Sequence, residues 1–171
     1  MSVAKVKAPV IDAVILWVDG DDPRHREKIL SYVEDDRFDQ SREFHDRFAQ
    51  INEIKFCIDS LLKFAPFLRK IHVVTDNQVP DFLTKESDTS VYDKVEIVDH
   101  KVIFSGYQQY LPTFNCLSIE TCMYRIPDLA EHFIYLNDDF ILINNTSSKD
   151  FFEEDKPVLR GRWQKFYTDI F

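Results

Sequence analysis

Asn137-Asp138-Asp139 sets two adjacent carboxylates between apolar runs at residues 133–136 and 140–143. Apolar flanks predict burial, and a buried carboxylate is costly unless a cation or hydrogen bonds compensate it. A divalent metal would be such a cation. Mg²⁺ takes one or two carboxylates and completes its octahedron with water and substrate phosphates. Successive residues of a strand face opposite sides, so in a regular strand only one of Asp138 and Asp139 would reach the metal. The other could orient or deprotonate a hydroxyl acceptor. The competing reading is a tight hairpin turn with Asn-Asp-Asp at its tip, and the local sequence leaves both open.

Two further segments carry weaker chemical signals. Trp17-Val18-Asp19-Gly20 joins a large aromatic to a glycine, where a base could stack and the backbone could come close to a ligand; a core tryptophan before a turn is the more ordinary source of this pattern. Thr113-Phe114-Asn115 opens a helix whose amides could receive a phosphate, although Thr and Asn are also ordinary helix caps. The five histidines show no metal-ligand spacing, and His100, at a strand end, reads as a surface residue. No phosphate-binding P-loop, dinucleotide fingerprint or nucleophile elbow is present, which disfavours those enzyme classes.

These residues need a frame, and the pattern predicts one. Residues 11–18, 70–75, 95–98 and 132–136 are short, β-branched and apolar, as buried strands are. Residues 51–66 show helical apolar spacing, residues 80–86 could form a short helix, and residues 115–124 read as another helix closed by Pro127. Residues 24–47 are crowded with charge and read as exposed helix or an irregular excursion. Alternating strands and helices predict an α/β domain with a largely parallel sheet. Ligands of such sheets bind outside the carboxyl ends of the strands. All four strands run into acids there (Asp19, Asp76, Asp99 and Asp138-Asp139), which predicts an acidic rim on one edge.

Composition narrows the function classes. With 171 residues, 44% apolar content and a net charge of −9, the chain suffices for one domain core and lacks the basic stripe of a nucleic-acid binder. Three scattered cysteines without Cys-x-x-Cys fit a reduced, cytoplasmic setting. No segment approaches the roughly 20 apolar residues that span a bilayer.

Read in order, the motifs resemble a known family. They begin with Ile11-Asp12-Ala13-Val14-Ile15-Leu16-Trp17-Val18-Asp19-Gly20-Asp21-Asp22-Pro23 and resume from Arg47 through Asn52-Glu53-Ile54 and Ile71-His72-Val73-Val74-Thr75-Asp76-Asn77-Gln78-Val79-Pro80. Leu111-Pro112-Thr113-Phe114-Asn115, Ile119-Glu120, Arg125-Ile126-Pro127 and Phe133-Ile134-Tyr135-Leu136-Asn137-Asp138-Asp139-Phe140 complete them. The set is similar to the first two regions of the Stealth sugar-1-phosphate transferases, which include bacterial capsule polymerases and the animal N-acetylglucosamine-1-phosphotransferase.

The resemblance implies a Rossmann-like sheet of the GT-A nucleotide-sugar transferase type, incomplete over this length. It also implies a UDP-sugar donor, UDP-N-acetylhexosamine favoured, a glycan hydroxyl as acceptor, and UMP as leaving group. By position, Trp17, Asp19 and Gly20 would contact the nucleotide, and Arg47, Gln78, Thr113, Asn115 and Asn137 would line the donor site. Asp138 and Asp139 would hold Mg²⁺ (or Mn²⁺) or serve the acceptor. Peripheral association with capsule machinery at the inner membrane would follow. Cys116 stands where the family commonly has serine, and the family's third and fourth regions, bearing a histidine and basic residues, have no match before Phe171. The chain therefore reads as the amino-terminal part of a longer catalytic unit; the alternative is a non-catalytic UDP-sugar-binding or regulatory fragment of a capsule-assembly system.

Overall fold

The apolar run at the start of the sequence forms β1 (Ile11–Leu16), the strand about which the sheet is built. The computed structural model describes residues 9–34, 38–42, 44–45, 51–85 and 89–164. Strands β2 (Leu68–Thr75), β3 (Val95–Asp99) and β4 (His132–Asn137) join β1 in the order β3-β2-β1-β4. Every pairing is parallel. The fold is therefore α/β with a parallel sheet, as the alternation of patterns predicts, and is consistent with part of a GT-A-type fold. Among the described residues β4 pairs only with β1 and forms one edge of the sheet.

Helices cover both faces, as a parallel sheet requires. The described helices are α1 (Pro23–Leu30), α2 (Glu53–Phe64), α3 (Asp81–Lys85), α4 (His100–Ile103) and α5 (Cys116–Glu120). Ile54, Cys57, Ile58 and Leu61 recur at helical spacing on α2, and that stripe packs on Ile11, Ala13, Ile15, Ile71 and Val73. Val14, Val74 and Val98 point to the other face, under Ile103, Phe104, Ile119, Met123 and Ile126. None of the described helices is long and apolar enough to cross a membrane.

Two expectations change. Residues 140–143 form no strand: Phe140, Ile141 and Ile143 are exposed and only Leu142 packs on the core. The reason is an attachment to α2 in place of a partner strand. Leu142 N–H donates to Ser60 Oγ, and the Thr146 amide and hydroxyl both donate to the Phe64 carbonyl. The described residues of the charged excursion, in turn, include a helix and buried side chains. Asp22 caps α1 by accepting from Arg24 N–H, Pro23 opens the helix, and His25, Ile29 and Phe44 are buried.

At the amino ends of the strands, one carboxylate ties the sheet together. Asp12 is fully buried on β1. Its Oδ1 accepts from Arg69 Nε (3.0 Å) and Lys70 N–H (3.1 Å), and its Oδ2 from Arg69 Nη2 (2.7 Å) and Ala130 N–H (2.8 Å). Arg69 and Lys70 begin β2 and Ala130 precedes β4. Lys70 Nζ extends the network to Glu96 on β3 at 2.7 Å. Burial alone would raise the Asp12 pKa, but hydrogen bonds from Arg69, Ala130 and His72 and the Arg69 charge hold it below the usual carboxylate range.

A carboxyl depressed in the folded state contributes stability that is present above its unfolded pKa, about 4, and lost as pH falls through the folded value. Asp12→Ala leaves two amides unpaired and should lower unfolding stability at pH 7 by about 2 kcal/mol. Urea melts at pH 7 and pH 3 should show this deficit shrinking in acid; an unchanged melting profile at pH 7 would refute the role given to Asp12.

Candidate functional site

The register fixes which residues share the carboxyl edge. Leu16 pairs with Val74 on one side and with Asn137 on the other, and Thr75 pairs with Asp99. Asp19, Asp76, Asp99 and Asp138-Asp139 therefore all follow strand ends on one edge, as the acidic-rim reading requires. From β1 the chain moves outward to β2 and β3, then returns across the sheet to β4. The crevice where this order reverses, outside the ends of β1 and β4, is where open α/β sheets bind ligands. A larger cavity of about 610 Å³ opens at the opposite, amino edge beside Arg69, Ala130 and His132. Size alone therefore does not choose the site.

A cleft of about 440 Å³ lies at the carboxyl edge, lined by Trp17, Asp19, Lys28, Asp76 and Gln78 among others. Trp17 is 8% exposed and belongs to the core, so its indole is a wall set into the protein. Gly20 is buried, and its carbonyl accepts from Arg26 Nε at 2.9 Å. Gln78 is buried as well and grips the loop after β1. Its Oε1 accepts from Asp19 N–H (2.8 Å), while its Nε2 donates to the Asp19 carbonyl (3.0 Å) and to Asp22 Oδ2 (3.1 Å). This paired amide makes Gln78 a brace of the cleft. The Gln78 hydrogen bond is also the main reason that the Asp22 carboxyl sits below its ordinary pKa.

In the wall of the cleft lies an ion cluster that the spacing of residues does not announce. Lys28 Nζ reaches Asp76 Oδ2 at 2.7 Å, and His25 Nδ1 lies 3.4 Å from the same oxygen. His25 and then Lys28 hold the Asp76 carboxyl far below its usual range. His100, expected at the surface, is buried as the first residue of α4, where Asp99 forms the cap by accepting from Lys101 N–H. Burial lowers its pKa and keeps it neutral near pH 7, against the opposing pull of Asp76.

On the far side of β1, the acid pair departs from two expectations. Asn137 ends β4, and Asp138 and Asp139 form the turn beyond it, closed by Phe140 N–H donating to the Asn137 carbonyl (3.2 Å). The alternation that would separate the carboxylates in a strand does not apply. Nor is the pair buried: Asp138 is half-buried and Asp139 and Asn137 are exposed, because the following apolar residues run out along α2. The hairpin reading is not met either, since no return strand follows.

Two supports hold the turn. Cys57 of α2 lies beneath it, with Sγ 3.9 Å from the Asn137 carbonyl; burial, aided by Asp138 and Asp139, pushes its thiol pKa up to about 12. On the other face Tyr135 donates to Glu120 Oε1 (3.0 Å), and its hydroxyl also meets Asn137 Oδ1 (3.0 Å). Burial and the Glu120 hydrogen bond raise the Tyr135 pKa, so the phenol stays protonated. Glu120, on α5, is thereby a third carboxylate linked to the acid pair through Tyr135 and Asn137.

Among the described residues, no three His, Cys, Asp or Glu gather into an all-protein metal cage. An open turn offering two carboxylates is instead the way Mg²⁺ is commonly held, with water and phosphate filling the remaining positions. The donor set fits that ion, and the same oxygens suit Mn²⁺.

Thr113 and Asn115 stand apart from the acid pair in local roles. Asn115 Oδ1 accepts from Leu117 N–H (3.0 Å) and Thr113 Oγ1 from Asn115 N–H (3.4 Å), so both build the entry to α5. That helix has five residues, too short for its amino end to act as a phosphate site. Phe114 between them packs edge-on against His25 (5.8 Å between ring centroids) and Tyr32 (5.9 Å), which brings this loop to the cleft. Arg47 lies outside the described residues.

Comparison with known proteins places this arrangement. The profile of Stealth protein CR2, conserved region 2, matches residues 47–159, and that of Stealth protein CR1, conserved region 1, matches residues 9–36. The chain is 37% identical over 148 residues to the capsular polysaccharide phosphotransferase LcbA of Aeromonas hydrophila, covering 85% of this chain and 39% of that protein. Against the exopolysaccharide phosphotransferase SCO2592 of Streptomyces coelicolor the identity is also 37% over 148 residues, covering 83% of this chain and 15% of the relative. A capsular polysaccharide phosphotransferase of Neisseria meningitidis serogroup B is 34% identical, covering 85% and 38%. The chain thus spans well under half the length of these relatives.

The brace has a measurable consequence. Gln78→Ala should let the Asp22 carboxyl titrate closer to its ordinary value, seen as an upward pKa shift in carboxyl-carbon NMR, and should lower stability by about 1–3 kcal/mol through the unpaired Asp19 amide. An unshifted Asp22 titration would show that Gln78 does not hold the loop.

Proposed function

The chain belongs to the Stealth family, and from that premise we propose that it forms the nucleotide-sugar-binding part of a phosphotransferase of capsular or exopolysaccharide synthesis. Its donor is a UDP-sugar, UDP-N-acetylhexosamine by preference, and its acceptor a glycan hydroxyl. The observation that carries this reading is the placement of two features on one carboxyl edge of the sheet: the cleft between the loops after β1 and β2, and the open acid turn after β4.

In this reading the cleft beside Trp17 and Asp19 takes the nucleotide, and Gln78 keeps the Asp19 backbone fixed for it. Arg24 and Lys28, the latter paired with Asp76, face five acids in the cleft lining, so a pyrophosphate there would need a cation to offset its charge. Asp138 and Asp139 hold Mg²⁺ (or Mn²⁺), which when bound neutralises charge on the phosphates. The exposed Asp139 is also placed to orient the acceptor hydroxyl or accept its proton. The hydroxyl oxygen bonds to the sugar-linked phosphorus as the phosphoanhydride breaks, releasing UMP and leaving a phosphodiester. Alignment and charge neutralisation supply most of the rate enhancement. The chain covers 39% of the length of a relative such as LcbA, and the reading is made for the donor-binding part of such a protein.

Calorimetric titration with UDP-N-acetylglucosamine and Mg²⁺ should show metal-dependent binding, weakened about tenfold in Asp139→Asn; unchanged affinity would remove the acid turn from the donor site. Incubation of a full-length form with labelled donor and acceptor should release UMP. Release of UDP instead would make the protein an ordinary glycosyltransferase.

A further inference from the structure

Between α4 and α5 the chain carries an aromatic pair that neither the core nor the cleft uses. Tyr107 and Tyr110 are 50% and 64% exposed, and their rings lie 6.5 Å apart between centroids, inclined by 31°. Their placement is braced. Tyr110 N–H donates to the Tyr107 carbonyl (3.0 Å), Tyr107 N–H to the Phe104 carbonyl (2.7 Å), and Phe104 is buried under the sheet. The Arg125 guanidinium lies 4.9 Å over the Tyr107 ring and is itself held by the Ser105 carbonyl. Gly106, at φ +82°, makes the turn that leads into the pair.

Two rings fixed nearly side by side, with Gln108 and Gln109 exposed between them, present flat apolar faces edged by hydrogen-bonding groups. The C–H face of a pyranose matches such a face, since its weakly positive hydrogens meet the negative ring surface while its hydroxyls reach neighbouring amides. Charge adds a second constraint. Residues 101–119 contain no Asp or Glu, in a chain with 30 of them, and the Arg125 cation lies over the Tyr107 ring. That stretch sets no carboxylate of its own against a polyanion. Sugar-1-phosphate transfer makes a polyanion, because each transfer leaves one phosphodiester in the product.

The site is also near the chemistry. Tyr110 lies four residues before Phe114, at most about 14 Å along the chain, and Phe114 packs on His25 at the cleft. We propose that Tyr107 and Tyr110 form a stacking platform for the acceptor, a phosphodiester-bearing glycan, and hold the growing chain beside the donor cleft. This deepens the function proposed above and rests on it.

Affinity electrophoresis of the 171-residue chain through gels containing phosphomannan, a phosphodiester-bearing glycan, tests the platform. Retardation of the parent protein is expected, with apparent affinity falling about tenfold in the double variant Tyr107→Ala, Tyr110→Ala. The double Phe variant, which keeps both ring faces, should retain it. Absence of retardation in the parent, or equal retardation of the Ala variant, would overturn the proposal. Titration of the same proteins with UDP-N-acetylglucosamine and Mg²⁺ separates the two readings. The Ala variant should bind donor as the parent does. Loss of donor binding in the parent with phosphomannan retardation intact would fault the donor assignment and leave the platform standing.

Discussion

A fully buried Asp12 carboxylate is the constraint on which the sheet depends. Four parallel strands have no hairpins to set their alignment, so something must fix where each begins. Asp12 does this by accepting from groups at the start of β2 and just before β4, and Lys70 passes the alignment to β3 through Glu96. Fixing the amino ends fixes the carboxyl ends, since the strands are rigid and parallel. The cleft and the acid turn lie on the same edge of the sheet, and a charge at the opposite edge holds the register that puts them there.

The division of labour along the sheet follows from this. One edge holds carboxylates that are satisfied internally, with Asp12 enclosed by donors on several sides. The other holds carboxylates with graded access to solvent: Asp76 is tied to Lys28 and His25, Asp99 is spent as a helix cap, and Asp139 remains exposed. The rim of acids is thus sorted into structural and chemical members by their neighbours. Net charge could not make that distinction, because each of these residues contributes equally to it.

Much of this frame was legible in sequence. The strands are short, β-branched and bounded by turn residues, and the α2 stripe repeats with helical period, so local pattern and fold agree. Asp12 is the one charged residue within the first strand, and an acid there is the sign of a buried ion pair. Contacts between distant residues were invisible. Gln78 grips Asp19 across 59 residues, and Ser60 secures Leu142 across 82, relations that no local spacing encodes. The same blindness placed His100 at the surface: its neighbours in the chain are polar, while its neighbours in space are the core and the ion cluster. The acid turn is exposed where its apolar flanks predict burial, because α2 offers the residues after it hydrogen bonds along its side.

The two halves of the site stand on unequal supports. β1 is hydrogen-bonded on both sides, whereas β4 is bonded on one among the described residues. Local opening free energies follow such differences, being highest for central strands and lowest at edges. The cleft half is therefore the fixed one, and the acid half is the compliant one. Closing the gap between them in a loaded state would strain a single strand boundary, β1 against β4, and leave the packing beneath the cleft undisturbed.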